Sequence, residues 1–210
     1  RHGADVVRWY VISNSAPWDD MKFSEKGLLE IRTKLFGTLE NVYRFFSSYA
    51  NIDGFKGNEE VMVGDNLEEL DRWLLSRVNS TVQLVGDCFD KYDCTGSARA
   101  IEKFVDEFSN WYIRRSRERF WAGKKTSAKG TLRSDEKLAA YLTTIKCLQI
   151  VSIIMSPIAP FFSDWLYRKV DKRRENNSSV HLAQFPKIDN SLIDLDLERR
   201  MDLARRIVQM

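Results

Sequence analysis

The chain lacks most of the features that mark a catalytic centre. It has two histidines, His2 and His181, and three cysteines, none of them at the spacing of a metal site. Neither common glycine-rich phosphate loop occurs, and the paired acids read as solvated or helix-start residues. We therefore expect no catalytic residues, no metal and no cofactor in this chain.

Features of secretion and of membrane insertion are also missing from the sequence. An odd cysteine count fits reduced thiols in a cytoplasmic protein, and no signal peptide is visible. The longest apolar run, 147–155, contains Gln149 and Ser152 and stops before Pro157, so we expect no membrane span. Because the first residue is not Met and the last helical segment ends abruptly at Met210, we expect a fragment of a longer protein.

The net positive charge is small overall, but basic residues are concentrated in one segment. The formal net charge of +3 is too small to indicate a nucleic-acid partner. Between Trp111 and Arg133, however, eight basic residues face one acid, Glu118. The core of this segment, NWYIRRSRERFW at 110–121, combines four arginines with four aromatic residues. That mixture suits phosphates and unpaired bases, although residue types alone favour the more ordinary interpretation, a packed amphipathic helix with arginines reaching water.

Helical periodicity dominates the pattern of apolar residues. It predicts four long helices at about 25–49, 67–92, 95–122 and 135–155, and shorter helices at about 5–13, 161–170 and 192–210. We predict an all-α, up-and-down helix bundle with a small mixed N-terminal connector, which includes a short strand near Lys22-Phe23. Residues 180–185 are expected to be extended. The predicted domains are a connector at 1–24, a helical domain at 25–175, and a linker with the start of a C-terminal region at 176–210. A coiled-coil dimer is the alternative, but Gly37, Gly86 and the many aromatic residues favour a monomer.

The arginines of the third long helix divide into two sets when the helix is projected at 100° per residue. Arg115 and Arg119 fall on the side of the apolar stripe, whereas Arg114, Arg117 and Trp121 fall on the far side. An arginine on the core side needs a buried carboxylate partner or a binding role. The outward set is the better candidate for direct contact with RNA.

Five segments in order resemble a known family. They are GADVVRWYVISNSAPWDDMKFSEKGL, LDRWLLSRVN, FSNWYIRRSRERFW and MSPIAPFFSDWLY, followed by SSVHLAQFP. This series is similar to the anticodon-binding region of class I aminoacyl-tRNA synthetases, just downstream of their KMSKS loop. Within that family the isoleucine-specific branch looks most similar, and the valine-specific branch is the nearest alternative. The resemblance covers nearly the whole chain.

The resemblance implies a ligase that joins isoleucine to tRNA with ATP and Mg²⁺ and carries a separate editing domain. It also implies three partners: the tRNA anticodon stem-loop and the catalytic and editing domains of the same parent chain. Neither the HIGH nor the KMSKS signature occurs here, so we expect weak tRNA binding and no catalysis from this chain alone. A helical protein-interaction scaffold with a basic surface is the alternative. The candidate tRNA-binding residues are Trp111, Tyr112, Arg114, Arg115, Arg117, Trp121, Lys124 and Lys125.

Overall fold

The computed structural model describes residues 2–55, 67–121, 134–170 and 179–209. Within these ranges every regular element is helical and no strand occurs, so the predicted all-α bundle is confirmed. The seven helices are α1 (Ala4–Asn14), α2 (Glu25–Ile31, Arg32–Gly37 and Thr38–Asp53), α3 (Glu69–Asp90), α4 (Cys94–Glu107, Phe108–Ile113 and Arg114–Trp121), α5 (Ser134–Met155), α6 (Pro160–Val170) and α7 (Leu195–Gln209). Two short 3₁₀ turns, Val180–Leu182 and Asn190–Leu192, precede α7.

Two of the long helices contain a π-helical middle section, which the sequence analysis did not predict. In α2 this section is Arg32–Gly37, and in α4 it is Phe108–Ile113. Each helix continues through its π section without a break in the chain direction. A π section adds about one residue to a turn, so the residues after it change their azimuth relative to those before it.

The ends of α2 follow local sequence signals. Ser24 caps the start, as expected, because its hydroxyl oxygen accepts a hydrogen bond from the Gly27 N–H at 3.4 Å. The helix runs to Asp53, four residues beyond its expected end. It stops there because Gly54 takes a left-handed conformation with φ of 68°. The expected N-caps of the next helix, Asp65 and Asn66, lie outside the described residues.

Helix α5 forms the centre of the core. By length and composition alone Glu136–Met155 would suffice to cross a membrane, which corrects the expectation that no such segment exists. In the fold, however, 72% of that apolar window is buried against the other helices. Tyr141 of α5 packs edge-on against Phe46 of α2 and Phe120 of α4, with ring centroids 5.8 and 5.1 Å apart. Its apolar surface therefore serves the interior of a helix bundle.

The N-terminal connector differs from the expected mixed structure. The segment around Lys22-Phe23 is not a strand, because the hydroxyl of Tyr10 occupies its backbone groups. That hydroxyl donates to the Lys22 carbonyl at 3.2 Å and accepts from the Ser24 N–H at 3.0 Å. Helix α1 packs on α4, where the Trp9 indole N–H donates to a Glu102 carboxylate oxygen at 2.6 Å.

The stretch expected to be extended after residue 179 begins instead as a 3₁₀ turn, Val180–Leu182. The carboxylate of Asp164 in α6 holds this turn by accepting from the Ser179 hydroxyl at 2.6 Å and the Val180 N–H at 3.0 Å. Burial acts to raise the pKa of Asp164, but these two bonds and the bond from Arg168 outweigh it, and the pKa is lowered. The proposed division of the chain into three domains stays a prediction.

Candidate nucleic-acid interface

The arginine segment forms the last part of α4, Arg114–Trp121, directly after the π section. Three of its arginines, Arg114, Arg115 and Arg117, are exposed to solvent. The Trp121 side chain is also exposed, at 56% of its possible surface. The face formed by these four residues, called here the arginine face, is cationic and carries one large aromatic ring.

The π section explains why the helical projection misplaced Arg115. A straight α-helix would carry the apolar stripe of α4 to positions 115 and 119. In the structure the fully buried residues are Ser116 and Phe120, each one position later. The extra residue in the π turn rotates the arginine segment by about 100° relative to a straight α-helix. Arg115 is therefore exposed, and the inward position expected for it is corrected.

Arg119 is buried even so, because it lies directly before Phe120 at the edge of the shifted stripe, and it has the carboxylate partner that an inward arginine needs. Its guanidinium donates to both carboxylate oxygens of Asp71 in α3, at 3.0 and 2.6 Å. It also contacts Glu68 at 3.3 Å and donates to the Glu136 carbonyl at 2.7 Å. Burial acts to lower the pKa of Arg119, but the bonds to Asp71 and the negative charges of Asp71 and Glu68 together outweigh burial and raise the pKa. This arginine holds helices together and is not available to a ligand.

Tyr112 belongs to the same buried group. Its hydroxyl donates to Asp71 at 2.6 Å, and the side chain has no exposed surface. Burial, followed by the nearby negative charge of Asp71, raises the pKa of Tyr112 well above its ordinary value. The expected direct contact between Tyr112 and tRNA therefore has no surface through which to occur in this structure, and Tyr112 is better described as part of the core.

Trp111 lies between the core and the surface. The guanidinium carbon of Arg115 sits over its ring, 4.4 Å from the ring centroid, which is a favourable cation–π distance. Trp111 is 9% exposed, and its indole N–H has no hydrogen-bond partner among the described residues. The pair presents a flat guanidinium at the surface, supported from below by an aromatic ring.

Trp111 and Arg115 also line a groove between α4 and α7, called here the α4–α7 groove. Its volume is about 650 Å³. The apolar part of its lining comes from one residue of α3 and three of α7: Leu70, Leu197, Met201 and Ala204. Charged residues complete it, among them Glu69 and Arg200, whose side chains approach to 3.4 Å.

A buried ionic network fixes α7 beside the groove. Arg77 of α3 donates to Glu107 at 2.8 Å and to Glu198 at 2.9 Å. Glu107, in α4, also accepts from Arg205 of α7 at 2.8 Å. Burial acts to lower the pKa of Arg77, but the two carboxylates outweigh it and the pKa is raised. The network joins three helices, so the position of α7 relative to α4 is tightly defined.

Sequence reasoning missed the acids that organise this region. Asp71 had a detectable signal, because it lies on the apolar stripe of α3 between Leu70 and Leu74. A charged residue in such a stripe usually has a buried partner. Glu107 carried a similar signal beside Phe108. Two of the predicted tRNA-binding residues, Lys124 and Lys125, lie outside the described residues.

Comparison with solved structures identifies the class of fold. The chain is similar to LeuRS in a crystal structure of a LeuRS–tRNA–LeuAMS ternary complex from Agrobacterium radiobacter, with a TM-score of 0.60 and 18% sequence identity. The match covers 92% of this chain and 20% of that one. The fold is thus the helical bundle of class I tRNA synthetases.

Comparison of sequences identifies the family. The chain belongs to the anticodon-binding domains of tRNA ligases, whose family pattern matches residues 71–210. It is 46% identical to an isoleucine–tRNA ligase of Porphyromonas gingivalis and 43% identical to that of Bacteroides thetaiotaomicron, in each case over 100% of this chain. The chain spans 18% of the length of these relatives. The family resemblance seen in the sequence is confirmed.

Proposed function

We propose that this chain is the domain of an isoleucine–tRNA ligase that binds the anticodon arm of the tRNA. One observation supports a particular surface as the RNA-binding site. In the arginine face, consecutive turns of one helix expose Arg114, Arg115, Arg117 and Trp121. Guanidinium groups neutralise phosphates, and exposed aromatic rings stack on unpaired bases. The relatives are named isoleucine–tRNA ligases, which supports isoleucine tRNA as the RNA.

The parent enzyme would perform its chemistry outside this chain. We infer that catalytic and editing domains of the same polypeptide are its covalent partners, and that ATP and Mg²⁺ act in the catalytic domain. In this arrangement the present domain contributes affinity and orientation, because holding the anticodon arm fixes the far end of the tRNA relative to the aminoacylation site. A cytoplasmic, monomeric enzyme is the setting in which we place it.

Fluorescence anisotropy with a labelled anticodon stem-loop of isoleucine tRNA tests this proposal. The affinity should fall as salt rises, because phosphate contacts release counterions. The double variant Arg114→Ala/Arg117→Ala should lower the magnitude of the logarithmic salt slope by about 1.4, at about 0.7 per contact for single-stranded RNA. At about 0.1 M salt the same relation predicts a loss of affinity of about 25-fold.

A matched control removes two exposed cations from another helix. Among the described residues, Lys34 and Arg44 of α2 each pair with an exposed acid one turn away. Lys34→Ala/Arg44→Ala removes two positive charges, as Arg114→Ala/Arg117→Ala does. This control should keep the salt slope of the parent chain. Equal losses in both double variants would show that charge alone determines binding, as expected for the interaction scaffold. Competition by matched and mismatched anticodon arms separates tRNA recognition from general polyanion binding.

A further inference from the structure

We propose that the α4–α7 groove binds one unpaired nucleotide of the RNA that crosses the arginine face. This inference rests on the proposed function and adds a second, separate subsite to it. Arg115 belongs to both surfaces, because it is exposed on the arginine face and lines the groove. A strand held by Arg114 and Arg117 can therefore place a neighbouring base in the groove without leaving the protein surface.

The geometry of the groove suits a flat, partly apolar ligand with one anionic end. Its volume of about 650 Å³ exceeds what a single nucleotide requires and lies within the usual range of small-ligand sites. Leu70, Met201 and Ala204 offer apolar surface to a base. Apolar side chains in a groove filled with water are unfavourable, so this lining favours a ligand with an apolar surface over solvent.

The charged groups of the groove are two arginines, Arg115 and Arg200, and two acids, Glu68 and Glu69. The guanidinium of Arg115, already stacked on Trp111, offers a flat cationic surface on which a base can stack. The Trp111 ring supports that guanidinium from below, and its buried indole N–H has no surface through which to meet a base. Arg200 is exposed, and its ion pair within the described part of the chain is with Glu69 at 3.4 Å, a weak partner that a phosphate can replace.

The test measures whether a side chain that fills the groove abolishes the contact of one RNA base with the protein. Ala204→Trp places an indole on the groove lining, and Met201→Trp does so from the preceding turn of α7. Leu203→Trp is the matched control, because Leu203 is adjacent in sequence but 56% exposed and is not among the residues that line the groove. The 210-residue chain is titrated with stem-loop RNAs that carry 2-aminopurine at one loop position at a time, with circular dichroism as the check of folding.

We expect one loop position to lose 2-aminopurine fluorescence when the parent chain or Leu203→Trp binds, and not when Ala204→Trp binds. The filled groove should weaken stem-loop binding by about 5- to 100-fold, the range of one stacked base. Arg200→Ala should weaken the parent chain but should cause no further loss in Ala204→Trp, because both changes act on the same nucleotide. A blunt-ended RNA duplex without a loop should bind the parent chain and the three tryptophan variants equally.

The outcomes distinguish the groove from the arginine face. Failure of the parent chain to bind the stem-loop overturns the proposed function and with it this inference. Binding by the parent chain that Ala204→Trp and Met201→Trp leave unchanged overturns the groove alone and leaves the arginine face intact. A free mononucleotide has the same chemistry as a loop nucleotide; if it competes with the RNA as strongly as a second stem-loop does, the groove is a nucleotide site unrelated to RNA.

Discussion

Replacing Asp71 with Asn should destabilise the domain strongly, although it changes only one atom type. Asp71 is 0% exposed and is the shared acceptor for Tyr112 and Arg119. Asparagine keeps the shape and one acceptor oxygen, but it removes the negative charge. Arg119 would then be a buried cation whose remaining acidic partner is Glu68, at 3.3 Å and partly exposed.

The expected loss of stability follows from the free-energy cost of leaving one partner of a buried ion pair without the other. Such losses amount to about 3–5 kcal/mol. The remaining contact with Glu68 recovers part of it, since partly exposed pairs contribute at most about 1 kcal/mol. We therefore expect Asp71→Asn to lower the free energy of unfolding by about 3 kcal/mol. For a chain of this size that corresponds to a decrease in Tm of about 6–12 °C.

Urea and thermal unfolding monitored by circular dichroism would measure the loss. The control is Asp196→Asn, which removes a carboxylate from an exposed ion pair with Arg199 and should change stability by less than about 0.5 kcal/mol. The double variant Asp71→Asn/Arg119→Met should lose less than the sum of the two single variants, because it leaves no unpaired buried charge. A loss below about 1 kcal/mol for Asp71→Asn, or strict additivity in the double variant, would refute this account of the buried group.

Three further changes test other parts of the fold. Gly27→Ala should reduce stability by about 1–3 kcal/mol, because an added Cβ would lie 2.4 Å from the ring of Tyr10. Gly86→Ala should instead stabilise α3 by up to about 1 kcal/mol, because the added Cβ would make an ordinary contact at 3.7 Å. Thermal unfolding of both variants measures the two effects. Glu198→Gln removes the carboxylate that accepts bonds from one arginine and two serines of α3, so α7 should gain faster amide hydrogen exchange than α5. The pKa of Asp164 is lowered in the fold, so its carboxylate contributes to stability above its ordinary pKa of 3.8, and this contribution is lost as the pH falls through the lower pKa of the folded state. Asp164→Asn should therefore make Tm decrease less steeply with falling pH in that acid range.

Much of the fold could be predicted from periodicity and end signals. The apolar stripes located the seven helices, and Ser24 marked the start of α2 through its capping hydroxyl. The absence of the expected strand near Lys22 was not predictable from the sequence. The Lys22 carbonyl accepts a hydrogen bond from Tyr10, which lies in another element. The end of α2 was placed early, because residues 50–53 look loop-like until Gly54 is seen to supply the cap.

The site was predictable in composition but not in arrangement. The arginines and tryptophans of α4 were found from their density, and Arg119 was correctly placed toward the core. The identity of its partner, Asp71, depends on which face of α3 meets α4, and that is a property of tertiary packing. The position of Arg115 was wrong because a projection at 100° per residue cannot register a π turn. The groove could not be predicted, since its two sides are separated by about eighty residues in sequence.

The π section of α4 gives a last prediction, which joins the fold to the groove. Removing one residue from this section, for example the exposed Asn110, should convert it to α-helix. The positions of Ser116 and Phe120 would then continue the stripe of α4 without a phase change, so the core contacts of the arginine segment survive. Trp111, by contrast, would take the exposed position of Asn110 and withdraw its ring from the groove lining, while Arg115 stays beside it one turn later.

The deletion variant should therefore unfold cooperatively with an unchanged helical circular dichroism signal, but it should bind stem-loop RNA as weakly as Ala204→Trp. Deleting Arg117, which lies in regular α-helix, is the control. It would rotate Phe120 out of the core by about 100° and should disrupt folding. If both deletions unfold the domain equally, the π section is required by the core itself. If the Asn110 deletion binds RNA like the parent chain, the position of Trp111 has no part in binding. The π section would then have no role in forming the RNA-binding groove.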